Sequence, residues 1–166
     1  MLLILERRFD VLIKLRNAAK AIIIQDNKIL FVKYISKRTG VTYYVLPGGG
    51  QEGGETFADT LKRECLEELG AEIEVERFAL LTEYIGKNHK FADIHSEVHR
   101  IECMFFCSLK SSIELSKATN TDPDQVGVEW IGFDEMKDRT LYPEALKRVF
   151  DQQGNITTPL YIGDTF

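Results

Sequence analysis

The segment Gly49-Gly50-Gln51-Glu52-Gly53-Gly54-Glu55, followed by Arg63-Glu64-Cys65-Leu66-Glu67-Glu68-Leu69-Gly70-Ala71, constrains this chain more than any other part of it. Its glycine-rich first part cannot hold regular structure and must be a loop. The residues after that loop read as a helix. Thr56 is a suitable N-cap and Gly70 a suitable C′ residue, and Phe57, Leu61 and Cys65 recur at four-residue intervals with Ala58 and Leu69 beside them. That stripe would pack on a sheet. On the other flank, residues three and four apart share a face, so Glu64, Glu67 and Glu68 crowd together. Folding asks for no such crowding of like charge. A hard divalent cation turns the repulsion into attraction, because Mg²⁺ takes oxygen ligands and is often held by carboxylates together with substrate phosphates. One helix thus serves the core on one face and metal-assisted phosphoryl chemistry on the other.

The plain alternative is a solvated acidic helix in which Arg63 and Glu67 form an ordinary i,i+4 pair. Glu-x-x-Glu-Glu alone would be read that way, but the register of its neighbours decides otherwise. Five residues separate Gly49 from Glu55, and seven more precede Arg63-Glu64; then come Cys65, Leu66, Glu67-Glu68, Leu69, Gly70 and Ala71. The run resembles the Nudix box over residues 49–71, with every fixed position filled. Only Cys65 and Ala71 stand where larger aliphatics are usual.

The resemblance implies an α/β fold, a Nudix-type α/β/α sandwich with a mixed β-sheet and the Nudix loop-helix-loop, over a single domain, residues 1–166. It implies a pyrophosphohydrolase that uses Mg²⁺ (or Mn²⁺) to cleave a diphosphate linkage in a nucleoside diphosphate derivative. Carried over position by position, Glu64, Glu67, Glu68 and the backbone carbonyl of Gly48 would be metal ligands. Arg63 would orient one of the glutamates. Glu55 would support the cluster from the preceding turn, and Gly49 and Gly50 would let backbone approach the phosphates. The general base is a glutamate of the helix or an acid from a later loop. Outside the box the candidates are Glu97, at a loop–strand junction, and Glu129, in Gly127-Val128-Glu129-Trp130, with Asp122 and Asp124 as further options.

Length and composition fit an ordinary globular chain: 166 residues, 44% apolar and 28% charged, with a net charge of −5. That charge argues against a broad nucleic-acid footprint. No segment has the run of roughly 20 apolar residues that a membrane span needs. The short apolar stretch at the N-terminus precedes its charges, the reverse of a signal peptide. Cys65, Cys103 and Cys107 form no CxxC pair and fall within apolar patterns, as small hydrophobes of a reduced, cytoplasmic protein. The expected partner is a small-molecule nucleotide or other diphosphate substrate. The apolar N-terminal segment suits either a homodimer contact or an added strand or short helix.

The remaining elements are set by periodicity. Strands are expected over residues 18–24, 29–35, 42–46, 72–85, 97–109 and 126–133, the first two joined as a hairpin through Asp26-Asn27-Lys28. Polar loops are expected over residues 36–40, 86–96 and 110–125. Tyr142, Ala145, Leu146, Val149 and Phe150 fit a second helix, opened by Pro143. His95-Ser96-Glu97-Val98-His99 approaches a zinc signature but misplaces its glutamate by one position. Trp130, Tyr34, Tyr43, Tyr44, Phe91 and Tyr84 read first as core, with base stacking as the functional option.

The substrate is less legible. The proline that ADP-ribose pyrophosphatases carry about fifteen residues beyond the box is absent, since no proline stands between Pro47 and Pro123. Residues 29–47 do not match the upstream motif of coenzyme A pyrophosphatases. A nucleoside triphosphate or similar small nucleotide is the default. Two rivals are an isoprenyl-diphosphate isomerase, which needs a reactive cysteine, and a non-catalytic nucleotide-sensing Nudix domain.

Overall fold

The computed structural model describes residues 14–119 and 122–165; the N-terminal segment lies outside them, apart from its last residues, 14–16, which open the first strand. Strand β1 (Lys14–Gln25) turns through Asp26 and Asn27 into β2 (Lys28–Ile35). Both turn residues have positive φ, 48° and 58°, the conformation a two-residue hairpin requires. Strand β3 (Thr42–Val45) precedes the glycine loop, and helix α1 (Phe57–Leu69) comes after it. The chain continues through β4 (Ile73–Ile85), the short helix α2 (Ala92–His95), β5 (Val98–Leu109), β6 (Gln125–Gly132), β7 (Leu141–Tyr142) and β8 (Tyr161–Asp164).

The strands form one mixed sheet in two halves, β8-β4-β5-β1 and β2 with β3 and β6 on either side and β7 beyond β3. β1 runs parallel to β5 from Lys14↔Val98 to Ile23↔Cys107, while β1 and β2 pair only at Ile24↔Ile29 and Gln25↔Lys28. The hairpin therefore splays. On one face, Leu61, Cys65 and Leu69 of α1 meet Ala19, Ala21, Ile23, Leu30 and Val32. On the other, Ile22, Phe31, Leu80, Met104 and Phe106 meet Met136, Leu146 and Val149 from the C-terminal part. A mixed sheet packed on both faces, with few helices, is the arrangement that the resemblance implies.

The structure departs from the sequence reading in places, each with a physical cause. β1 begins at Lys14 rather than residue 18, because the parallel ladder to β5 continues through the exposed stretch Leu15-Arg16-Asn17. The expected helix at Tyr142–Phe150 is a 3₁₀ segment, Glu144–Arg148, since Tyr142 belongs to β7 and Phe150 bridges to Ile156. The spacing did find the buried residues, Ala145, Leu146 and Val149. Strands β7 and β8 are short parallel additions at the sheet edges, with no periodicity long enough to reveal them.

Helix α1 starts and ends where its sequence indicates. Asp59 N donates to Thr56 Oγ1 at 3.2 Å and Thr56 N donates to Asp59 Oδ2 at 3.0 Å, a reciprocal capping box. Gly70 ends the helix at φ 61°, where a Cβ would lie 2.1 Å from the Glu114 carbonyl oxygen. Thr56→Ala should therefore destabilise the protein by about 1 kcal/mol, read as a lower urea midpoint at unchanged slope, while Thr56→Ser should stay close to wild type.

Candidate active site

Where β2 leaves β1, the glycine segment takes its place. Ala21 N donates to Pro47 O at 2.8 Å, Ala19 N to Gly49 O at 3.0 Å, and Gln51 N to Asn17 O at 3.0 Å. Gly48 passes β1 so closely, at φ 118°, that a Cβ would sit 2.2 Å from the Ala19 carbonyl oxygen. A Cβ on Gly49 would collide with the Glu64 carboxylate at 2.5 Å. Gly48 is demanded by its approach to a strand backbone, while at Gly49 a side chain would displace the Glu64 carboxylate from its place.

Helix α1 supplies the acids at graded depth. Glu68 stands beside the core residue Leu69 and is 9% exposed. Its Oε2 accepts the Gly48 N–H at 2.8 Å and its Oε1 accepts the Tyr34 hydroxyl at 3.4 Å. Burial pushes its carboxyl up to about 6, while the Lys20 charge and the Gly48 N–H oppose the rise. Lys20 Nζ donates to the Gly48 carbonyl oxygen, so Gly48 is held on both its polar groups.

Arg63 ties loop and helix together. Its Nε and Nη2 donate to the two oxygens of Glu55 at 2.7 and 3.0 Å, Nη1 to Glu64 Oε1 at 2.8 Å, and Nη2 to Gly50 O at 3.0 Å. Glu67 Oε2 lies 3.7 Å from Nη1. Glu55 also accepts from Thr60 Oγ1 at 2.8 Å and Glu52 N at 3.1 Å. The Arg63 hydrogen bonds, with that of Glu52, hold the Glu55 carboxyl at about 2.

Glu64, Glu67 and Glu68 line an open cleft of about 480 Å³ together with residues 48–50, Tyr34 and, from the loop before β6, Asp122. The structure thus brings Gly48, Gly49, Gly50, Arg63, Glu64, Glu67 and Glu68 to one cleft and ties Glu55 to it through Arg63. Outside the box, it brings Asp122 and not Glu97, which is exposed one residue before β5 and does not line the cleft. Glu129 pairs in register with Phe31, on the face away from α1, and is engaged by Tyr44 at 2.9 Å, Lys33 at 3.2 Å and Arg139 at 3.1 Å. Asp124 is paired with Lys37 at 2.9 Å. His95 and His99 part company, to Tyr84 and Glu83 respectively, which disposes of the zinc signature.

The donors fit a hard divalent cation in kind: three carboxylates and the Gly48 carbonyl, all oxygen, on one wall of the cleft. In position, the carboxylates are held by Arg63 and by backbone, and among the described residues no three His, Cys, Asp or Glu side chains converge on one point.

The Glu55–Arg63 pair has a pH signature. With a folded pKa of about 2 against an ordinary 4.5, Glu55 contributes stability above pH 4.5 that is lost as pH falls toward 2. Glu55→Gln should therefore be less stable than wild type at pH 6, with the gap closing between about pH 4.5 and 2, as measured by thermal unfolding at a series of pH values.

A sequence profile of the NUDIX domain matches residues 14–153. A search of curated protein sequences finds no significant match. Among solved structures, the chain is similar to a NUDIX hydrolase from Nitrosomonas europaea, with 23% identity and a TM-score of 0.61 over 89% of this chain and 83% of that one. It is also similar to an ADP-ribose pyrophosphatase from Streptococcus suis, with 19% identity and a TM-score of 0.55 over 90% and 97%. A MutT NUDIX hydrolase from Burkholderia pseudomallei matches with 23% identity and a TM-score of 0.53 over 73% and 85%. These likenesses establish the fold, and the profile match over most of the chain shows that it belongs to the NUDIX domain family.

Proposed function

We propose that this Nudix hydrolase is a Mg²⁺- or Mn²⁺-dependent pyrophosphohydrolase of a small nucleotide, a nucleoside triphosphate or a similar nucleoside diphosphate derivative. The observation that carries the reading is the cleft itself, where three carboxylates, a glycine backbone cleared of side chains and an exposed acid from another loop face one space. Nudix hydrolases generally use divalent metals. A cation held by Glu64, Glu67, Glu68 and the Gly48 carbonyl would neutralise charge on the phosphates.

The chain's own residues divide the remaining work. Arg63, fixed by Glu55, sets the rotamer of Glu64 and steadies Glu67. The backbone at Gly49 and Gly50 admits the phosphates closely because no Cβ stands there. Asp122 accepts a proton from the attacking water as its oxygen bonds to phosphorus and the anhydride bond breaks, the bridging oxygen leaving with the second phosphate. Tyr34 lines the cleft and stacks on Tyr43 at 5.1 Å, and Tyr142 and Phe91 extend the aromatic row under the cations Lys90 and Arg38. That row suits the base and distal phosphates of a nucleotide.

The isomerase alternative needs a reactive thiol. All three cysteines are buried, and burial raises the pKa of each, Cys107 to about 12.

Hydrolysis of a panel of nucleoside triphosphates, nucleotide sugars and dinucleoside polyphosphates should require Mg²⁺ or Mn²⁺ and fall at least about 100-fold in Glu67→Gln, the scale of losing a charge-stabilising group. Nucleotide binding by a folded protein that cleaves none of them would replace the hydrolase with a sensor. Asp122→Asn should lower kcat by about 10²- to 10⁴-fold with KM little changed. A loss of that size in Glu97→Gln, with Asp122→Asn active, would move the proton-accepting role to Glu97.

A further inference from the structure

Lys20 is a lysine in the middle of a strand, 9% exposed, and it spends its ammonium on a carbonyl oxygen rather than on solvent. Gly48 lines the carboxylate cleft, and the Lys20 charge also reaches Glu68. Gly48 O is thus an oxygen that already attracts a cation, beside the acids that would hold a second one. Two cations cannot share one carbonyl and one buried carboxylate without strong repulsion.

A second observation lies one strand away. In the β1–β5 ladder, Lys20 pairs with Met104 and Ala18 with Glu102. Strand alternation puts Lys20 and Glu102 on the face of Ile22, Met104 and Phe106, opposite α1. Strand spacing and rise place their Cα atoms about 8 Å apart, within reach of both side chains. Glu102 is 2% exposed; its Oε1 accepts from Arg100 Nη1 at 3.3 Å, and its buried Oε2 has no hydrogen-bond partner among the described residues. Thr82, its register partner on β4, is 1% exposed, and its Oγ1 is likewise unpartnered among the described residues. A buried carboxylate oxygen without a donor is costly, and an ammonium would satisfy it.

We propose that Lys20 is a built-in competitor for the cation at Gly48, and that Glu102 receives its ammonium when a divalent cation takes the carbonyl. Lys20 is then a positioning residue. It holds the Gly48 peptide in place, sets the affinity of the site by opposing the cation, and has a second seat prepared on the neighbouring strand. The coupling is reciprocal: what favours the lysine on Glu102 favours the cation on Gly48. The inference rests on the metal-dependent reading of the cleft, from which its test must be separable.

The test is Mn²⁺ binding at pH 8, followed by electron paramagnetic resonance of the free ion after chelator treatment of the protein. Lys20→Met should bind Mn²⁺ about tenfold more tightly than wild type, within the usual span of coupling between sites. Glu102→Gln should bind more weakly, and its effect should vanish in the Lys20→Met background. Absence of Mn²⁺ binding by folded wild type would overturn the metal-dependent reading and this inference together. Binding by wild type with Lys20→Met equal or weaker, its circular dichroism unchanged, would overturn the role of the lysine alone. Should Lys20→Met not fold, a crystal structure of wild type with Mn²⁺ decides: Lys20 Nζ on Glu102 is expected, and Lys20 still on Gly48 O beside bound Mn²⁺ would overturn the proposal.

Discussion

The close passage of Gly48 over β1 is the constraint on which the site depends. The β1–β2 hairpin pairs at only two positions before it opens, and the freed edge of β1 is taken by residues 47–51 through three backbone hydrogen bonds. At that approach a side chain on Gly48 would overlap the Ala19 carbonyl. The glycine peptide is then fixed by buried groups of opposite charge, Glu68 on its N–H and Lys20 on its carbonyl. Since Glu68 is anchored on α1, the same contacts set the distance between loop and helix, and Arg63 repeats the link at Gly50 and Glu55. Loop, strand and helix are thereby locked into one wall of the cleft.

The core of the site was legible because its chemistry is local in sequence. Thr56 and Gly70 name the ends of α1, the acids share its flank by helical period, and Arg63 and Glu55 stand eight residues apart, close enough to meet once the loop folds back. The acid from outside the helix was not legible in the same way. The sequence reading puts Glu97 and Glu129 ahead of Asp122 and Asp124, and tertiary structure reorders them: Glu129 is claimed by Tyr44, Lys33 and Arg139, Asp124 by Lys37, Glu97 does not line the cleft, and Asp122 does. Lys20 is hidden for a related reason. A lysine between Ala19 and Ala21 looks like the solvent side of a strand, and its burial comes from a glycine loop arriving from 28 residues away.

The fold shows the same division. Long strands with apolar alternation were recoverable, whereas β7 and β8, of two and four residues, exist only because an edge was available to pair with. The C-terminal segment that looked like a helix buries the side chains its spacing marked, but a strand before it and a bridge after it leave room for only a 3₁₀ turn. Burial pattern is a property of side chains and survives such a change, while backbone type depends on what the neighbours leave free.

The most direct test of the central claim is ³¹P NMR of the wild-type protein turning over a nucleoside triphosphate in H₂¹⁸O with Mg²⁺. The account predicts two phosphate-containing products, ¹⁸O in one of them at the phosphorus attacked by water, and no turnover when the divalent cation is chelated. Cleavage that continues at full rate without divalent cation would contradict it, because the three carboxylates of α1 would then have no part in the chemistry.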